Sequence, residues 1–303
     1  QSTRKADPEL LFSLAEKRIR QMIRMGTTTV EAKSGYGLDT ASELKQLEVI
    51  GRLAQELPVD IVATFMGAHE FPVEYKQDHA GYIKLLCEEM IPAVKKQGIA
   101  RFCDIFTEAH VYGIEESRKV LSCAKAQGLK LKMHADEIEP MGGAELAAEL
   151  GCLSADHLGA TSDQGIAALK EAGVIPVLLP ATLFSLRSRS YARALDMIAA
   201  DLPVAIATDF NPGSCNCDSM PLVISLACLQ MGMSPVQALA AATINAACAV
   251  GMEALVGSLE IGKQADLTLW DIPSLNFIPY HLGSSYLSRV VKKGKSIYIA
   301  SEI

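Results

Sequence analysis

The sequence predicts an α/β fold: a (β/α)8 barrel of the TIM type, about seven of its eight strands visible, with a small β-sandwich appendage partly missing at the amino terminus. Three observations carry this expectation. Short runs of apolar and β-branched residues recur about seven times, each followed by a turn and then by helical periodicity. Strand followed by helix is the pattern of a parallel sheet, and the near-equal repeat favours a closed barrel over an open doubly wound sheet. After residue 250 the alternation stops, and strand-like runs broken by Gly-Lys turns replace it.

The elements follow in order. The chain starts at Gln1 and enters an amphipathic helix near Pro8. The predicted strands are TTTVEAKS (27–34), VDIVATFMGAH (59–69), RFCDIF (101–106), LKLKMHADE (129–137), SADHLG (154–159), VIPVLLP (174–180) and PVAIATDF (203–210). Helical periodicity runs over 41–57, 113–128, 142–150 and 161–173. Asp39 or Thr40 can cap the first of these and Ser162 the last, while Gly128 and Gly173 stand where helices must end. The runs 257–271 and 288–300 form the small β region. The division expected is 1–254 for the (β/α) barrel and 255–303 for the carboxyl-terminal part of the small β domain.

Composition narrows the function classes. With 303 residues, half of them apolar, the chain can bury a large core. The net charge of −7 and scattered basic residues argue against nucleic acid and against a membrane surface, leaving a small-molecule substrate. The eight cysteines sit mostly in apolar patterns and read as buried thiols in a reducing compartment. No apolar run is long enough to span a membrane and no signal peptide is legible, so a cytoplasmic location is expected.

In such a barrel the side chains that do chemistry stand at the carboxyl ends of the strands. His69, His134 and His157 fall there, as does Asp209 before the turn FNPGS; Glu137 lies three residues after His134. Tyr36 follows the first strand between two glycines. Singly, each has a bland explanation, since a strand-end histidine is more often a hydrogen-bonded structural residue and Asp209 can form a turn. Their joint placement at one end of successive strands points to a site. Imidazole and carboxylate suit zinc or iron, with His134 and Asp209 as two ligands, whereas a catalytic zinc ordinarily has three protein ligands.

These residues resemble the amidohydrolase superfamily. More narrowly, VEAKSGYGLD, ATFMGAHEFP, KMHADEI, SADHLG and ATDFNPGS resemble its imidazolonepropionase family over nearly the whole chain. The resemblance implies one divalent or trivalent metal per subunit, zinc or iron, with His134 and Asp209 as ligands. It implies Glu137, His157 and Asp209 as catalytic residues, with the choice of base between the carboxylates left open. Tyr36, His69, Glu137, Asn211, Gly213 and Ser214 are implied as substrate contacts. The implied reaction is metal-dependent hydrolysis of the ring C–N bond of 4-imidazolone-5-propanoate to N-formimidoyl-L-glutamate in histidine degradation, by a homodimer. The family's His-x-His strand has no counterpart in these 303 residues. An amino-terminally incomplete copy is therefore expected, with weak metal retention and little turnover. The competing readings are another amidohydrolase-type deaminase or cyclic amidase, and a catalytically inactive barrel fragment.

Overall fold

The computed structural model describes residues 2–300. Seven strands appear in chain order: β1 (Thr29–Lys33), β2 (Asp60–Ala68), β3 (Phe102–Thr107), β4 (Lys130–Ala135), β5 (Ser154–His157), β6 (Ile175–Leu178) and β7 (Ala205–Ile206). Pairing is parallel from β1 to β2, β2 to β3, β3 to β4 and β6 to β7. The last seven residues of β2 are all buried, as a strand covered on both faces requires. Helices Thr40–Glu56, Ile114–Ala126, Gly143–Leu150 and Asp163–Ala172 lie within two residues of their expected ends. Asp39 and Ser162 cap as expected: Ser42 N donates to Asp39 Oδ1 at 2.7 Å and Gly165 N to Ser162 Oγ at 2.9 Å.

The strands stop earlier than the apolar pattern suggests, and the stops have local causes. β4 ends at Ala135 because Asp136 turns to a φ of 49° and gives its side chain to the next helix. Its Oδ1 accepts from Met141 N and Gly143 N at 3.0 and 2.9 Å, and its Oδ2 from Ala144 N at 2.9 Å. β5 ends at His157, where φ is 74°. β7 shrinks to two residues, and the chain leaves it through Asp209 at a φ of 50°.

The backbone divides into two compact units. One contains the amino-terminal stretch to Glu16, residues 29–156 and residues 160–174. Its core includes Phe65, Tyr82, Leu86, Phe102, Ile105, Tyr112 and Leu121, none of them measurably exposed. The other contains residues 17–28, 157–159 and the chain from Ile175 on. There Ile175, Val177, Leu179, Ala205 and Ala249 pack as one cluster. The same unit carries a separate antiparallel sheet of β8 (Leu267–Trp270), β9 (Leu287–Lys292) and β10 (Lys295–Ile299). Lys293 and Gly294 join β9 to β10 with φ of 51° and 78°, the two positive values of a type I′ hairpin turn. Asp266 secures this hairpin, accepting from Lys292 Nζ at 2.5 Å and from Lys293 N at 2.8 Å.

Candidate active site

The strands of the first unit carry charged residues two apart, and the structure buries them together. Glu31 and Lys33 come from β1, Asp104 from β3, Lys132 and His134 from β4 and Asp156 from β5. Alternate residues of a strand share one face, so each pair points the same way. Lys33 Nζ meets Asp104 at 2.6 Å and both Asp156 and Glu31 at 3.1 Å. Lys132, 1% exposed, reaches the other oxygen of Glu31 at 2.6 Å and lies 5.3 Å from the centroid of the Phe102 ring. Thr64 Oγ1 donates to Glu31 Oε1 and Ser154 Oγ to Asp156 Oδ1. The sequence reading did not anticipate this cluster; its signal was the period-two spacing of charge inside apolar strands.

Burial alone would push these carboxyls up and the ammonium down. The contacts reverse both. His134 and Lys33 hold Asp104 well below the usual carboxylate range, and Lys33 and Lys132 lower Asp156 and Glu31. Lys33 is raised well above its ordinary value by Asp104, Asp156 and Glu31, against the burial that lowers it. Burial likewise lowers His134, but Asp104 more than offsets it and the net direction is upward.

His134 Nδ1 lies 3.2 Å from the Asp104 carboxylate. An ionised carboxylate only accepts, so Nδ1 carries a proton, and in the neutral ring the lone pair that could meet a metal is then on Nε2. A carboxylate behind a histidine is the usual support of a metal-binding imidazole. Donor atoms of Asp104, His134 and Asp156 all lie within 4.8 Å of one another, a grouping that can hold a cation. Lys33 already supplies a cation to both aspartates, which leaves the imidazole as the donor to an added ion. Two ammoniums against three carboxylates leave this cluster one negative charge when His134 is neutral.

Tyr36 and His69 are held close to this cluster by ring contacts. Tyr36 and His69 have centroids 5.1 Å apart, His69 and Phe106 are 6.1 Å apart, and Phe106 meets His134 edge-on at 6.1 Å. His69 Nδ1 lies 3.1 Å from the Gly35 carbonyl, and burial, with His134 nearby, lowers its pKa. The loop bearing Tyr36 wraps the buried Glu43 carboxylate, a contact that sequence reading missed because Glu43 looks like an ordinary acidic residue in a helix's first turn.

Of the remaining expected residues, His157 ends β5, Glu137 lies two residues past β4, and Asp209, Asn211, Gly213 and Ser214 lie in the turn beyond the shortened β7. Glu137 follows Asp136 and is half-buried, whereas Asp136 is 1% exposed and engaged by backbone amides. His157 is buried at the last position of β5. Asp209 Oδ2 accepts from Thr182 Oγ1 at 2.7 Å. Beyond it, Asn211 organises its own turn: Oδ1 accepts from Gly213 N and Ser214 N at 2.8 and 2.7 Å, and Nδ2 donates to Asp209 O and Ser214 Oγ at 2.7 and 3.0 Å. Asp209, Asn211, Gly213 and Ser214 thus form one turn. Of the other histidines, His79 stacks on Phe71 at 3.6 Å and His281 on Phe277 at 3.9 Å, while His110 is exposed against Phe106. Asp136, His157 and Asp209 are non-glycine residues with positive φ, a conformation that costs energy and gathers at functional sites.

Residues 2–297 match the model of the amidohydrolase family. The chain is 52% identical over 297 residues to an imidazolonepropionase of Symbiobacterium thermophilum, covering 98% of this chain and 70% of that protein. To the imidazolonepropionase of Alkaliphilus oremlandii it is 48% identical over 296 residues, with the same coverage. A solved adenosine deaminase from Xanthomonas campestris with bound zinc has a similar fold, with a TM-score of 0.74 at 20% identity over 97% of this chain and 71% of that one. A guanine deaminase from C. acetobutylicum gives 0.73 at 16% identity, over 96% and 77%. At these identities the structural likeness speaks for the barrel fold alone.

Proposed function

From its membership of the amidohydrolase family, and within it of the imidazolonepropionases, to which this chain belongs, we propose how its side chains divide the work. The reaction is hydrolysis of a cyclic amide: opening of the ring C–N bond of 4-imidazolone-5-propanoate to give N-formimidoyl-L-glutamate. The observation that carries the assignment of roles is the imidazole of His134, its Nδ1 held by the buried Asp104 carboxylate and its ring linked through Phe106 to His69 and Tyr36.

In this reading His134 and Asp209 would hold a metal, zinc or iron, whose chemistry when bound would be to lower the pKa of a water toward neutrality. His157 hydrogen-bonds the oxygen that becomes negative as the ring carbonyl is attacked, which lowers the barrier most where water is excluded. Glu137 carries a proton to the departing ring nitrogen, with Asp209 as the alternative carboxylate. Tyr36 and His69 orient the ring. The turn of Asn211, Gly213 and Ser214 receives the propionate end, with the Ser214 hydroxyl as donor; Asn211 Oδ1 holds the Gly213 and Ser214 amides and so shapes the turn. The same reading assigns 1–254 to the catalytic barrel and 255–303 to the small β domain. It places a homodimeric enzyme in cytoplasmic histidine degradation.

The test is a substrate panel with metal analysis. In a version that also carries the family's His-x-His strand, hydrolysis of imidazolonepropionate, with guanine, cytosine and hydantoin untouched, and with activity following the content of zinc or iron, is the expected result. Turnover of only the latter three would assign the site to a deaminase or cyclic amidase.

A further inference from the structure

We infer that Glu43 is a positioning residue of the substrate site: it fixes the Gly35–Leu38 loop so that the Gly35 carbonyl holds the Nδ1 proton of His69 and turns the Nε2 lone pair toward a ring N–H of the substrate. This rests on reading Tyr36 and His69 as substrate contacts.

Glu43 is fully buried, yet its carboxylate is met by backbone amides. Oε2 accepts from Gly35 N at 2.9 Å; Oε1 accepts from Gly37 N at 2.8 Å and Leu38 N at 2.9 Å, with Gln46 Nε2 at 3.2 Å. The cap is Asp39, so Glu43 is the fourth residue of the helix, one beyond the position whose side chain ordinarily reaches back to the amide of the capping residue. The Glu43 carboxylate reaches past Asp39 to the three loop amides instead, so it shapes the loop. The loop is tight enough to need both glycines. Gly35 has a φ of 113°, and a Cβ there would stand 2.7 Å from the Met66 carbonyl oxygen; at Gly37 it would stand 2.6 Å from Ser42 Cβ. Tyr36, between them, is 39% exposed and faces His69. From the other side Arg4 donates to Gly37 O at 2.5 Å and Leu38 O at 3.2 Å.

The link to His69 is a single residue. Gly35 gives its N–H to Glu43 and takes the His69 ring at its carbonyl, 3.1 Å from Nδ1. A carbonyl only accepts, so Nδ1 must carry the proton, and a neutral ring then has its lone pair on Nε2. Such a nitrogen recognises an N–H of a cyclic amide or amidine and offers nothing to a carboxylate.

The experiment is 15N NMR of the His69 imidazole together with steady-state kinetics, on the wild type and Glu43→Gln. The wild type should show the proton on Nδ1; a proton on Nε2 overturns the proposal with no variant needed. In E43Q the amide cannot serve both Oε positions as an acceptor, so Gly35 N loses its partner. His69 should shift toward the Nε2-protonated form, and the KM for imidazolonepropionate should rise about tenfold with kcat within about twofold, the size expected for a lost buried hydrogen bond to a charged group. A variant with a lower melting temperature but an unchanged His69 signature and unchanged KM would make Glu43 merely structural and refute the inference. A wild type that does not turn over imidazolonepropionate, but whose His69 proton moves in E43Q, upholds the positioning and rejects the assigned reaction.

Discussion

Replacing Lys33 by methionine removes the cation that three buried carboxylates share, while roughly keeping the volume. Lys33 Nζ stands 2.6 Å from Asp104 and 3.1 Å from Asp156 and Glu31. At an effective dielectric constant of about 20, each contact near 3 Å is worth about 5 kcal/mol before desolvation, which takes back most of it. The net penalty for breaking such a buried set by deleting one partner is about 3–5 kcal/mol. The pH dependence gives a second check. In the wild type these carboxyls are lowered, so their stabilisation is complete above the unfolded-state pKa, about 4, and is lost as pH falls through the depressed folded values. Without Lys33, Glu31 keeps Lys132 and Asp104 keeps His134, but Asp156 loses its largest lowering contact and should rise, so the stability deficit of the variant should shrink as pH falls from neutral toward 5. Urea unfolding followed by circular dichroism at pH 7 and pH 5 measures both effects. A loss under about 1 kcal/mol at pH 7, or a loss that grows on acidification to pH 5, would refute the account of the cluster.

Four further outcomes follow from the same geometry. Asp104→Asn should weaken metal binding by about 10- to 100-fold in a chelator competition, because it removes the carboxylate that holds the His134 tautomer. Glu137→Gln should lower kcat by about 10²- to 10⁴-fold with an unchanged circular dichroism spectrum, the range for a lost proton-transfer group. Asp136→Ala deserts three backbone amides and should cost about 3 kcal/mol or more in urea unfolding. Asp266→Ala strands the buried Lys292 ammonium and should loosen the β8–β10 sheet, seen as a red shift in the emission of Trp270, the protein's one tryptophan.

Sequence reading found the strands because apolar periodicity is a local signal. In LKLKMHADE the alternation alone puts His134 at the end of β4. It could not find the ion cluster, since charges two apart in a strand read equally as a solvent face and as a buried interior. Only burial separates Lys132, 1% exposed, from an ordinary surface lysine. Glu43 was hidden for a similar reason: acidic residues are common in first turns, and its partners are amides that a sequence does not mark.

The neighbouring carboxylates Asp136 and Glu137 show where local reading stops and packing decides. Both follow His134 at the same strand end, and nothing in their spacing ranks one above the other. The structure gives Asp136 a positive φ, buries it and engages both its oxygens with the amides that begin the Gly143–Leu150 helix. A carboxylate so saturated is poorly placed to exchange protons with a substrate, because each oxygen would first have to give up a buried amide. The half-buried Glu137 stands one residue beyond the left-handed turn at Asp136. The saturation of Asp136 argues against Asp136 as the proton-transfer group and agrees with the role proposed above for Glu137. Asp136→Asn should accordingly act mainly through stability, and Glu137→Gln mainly through kcat.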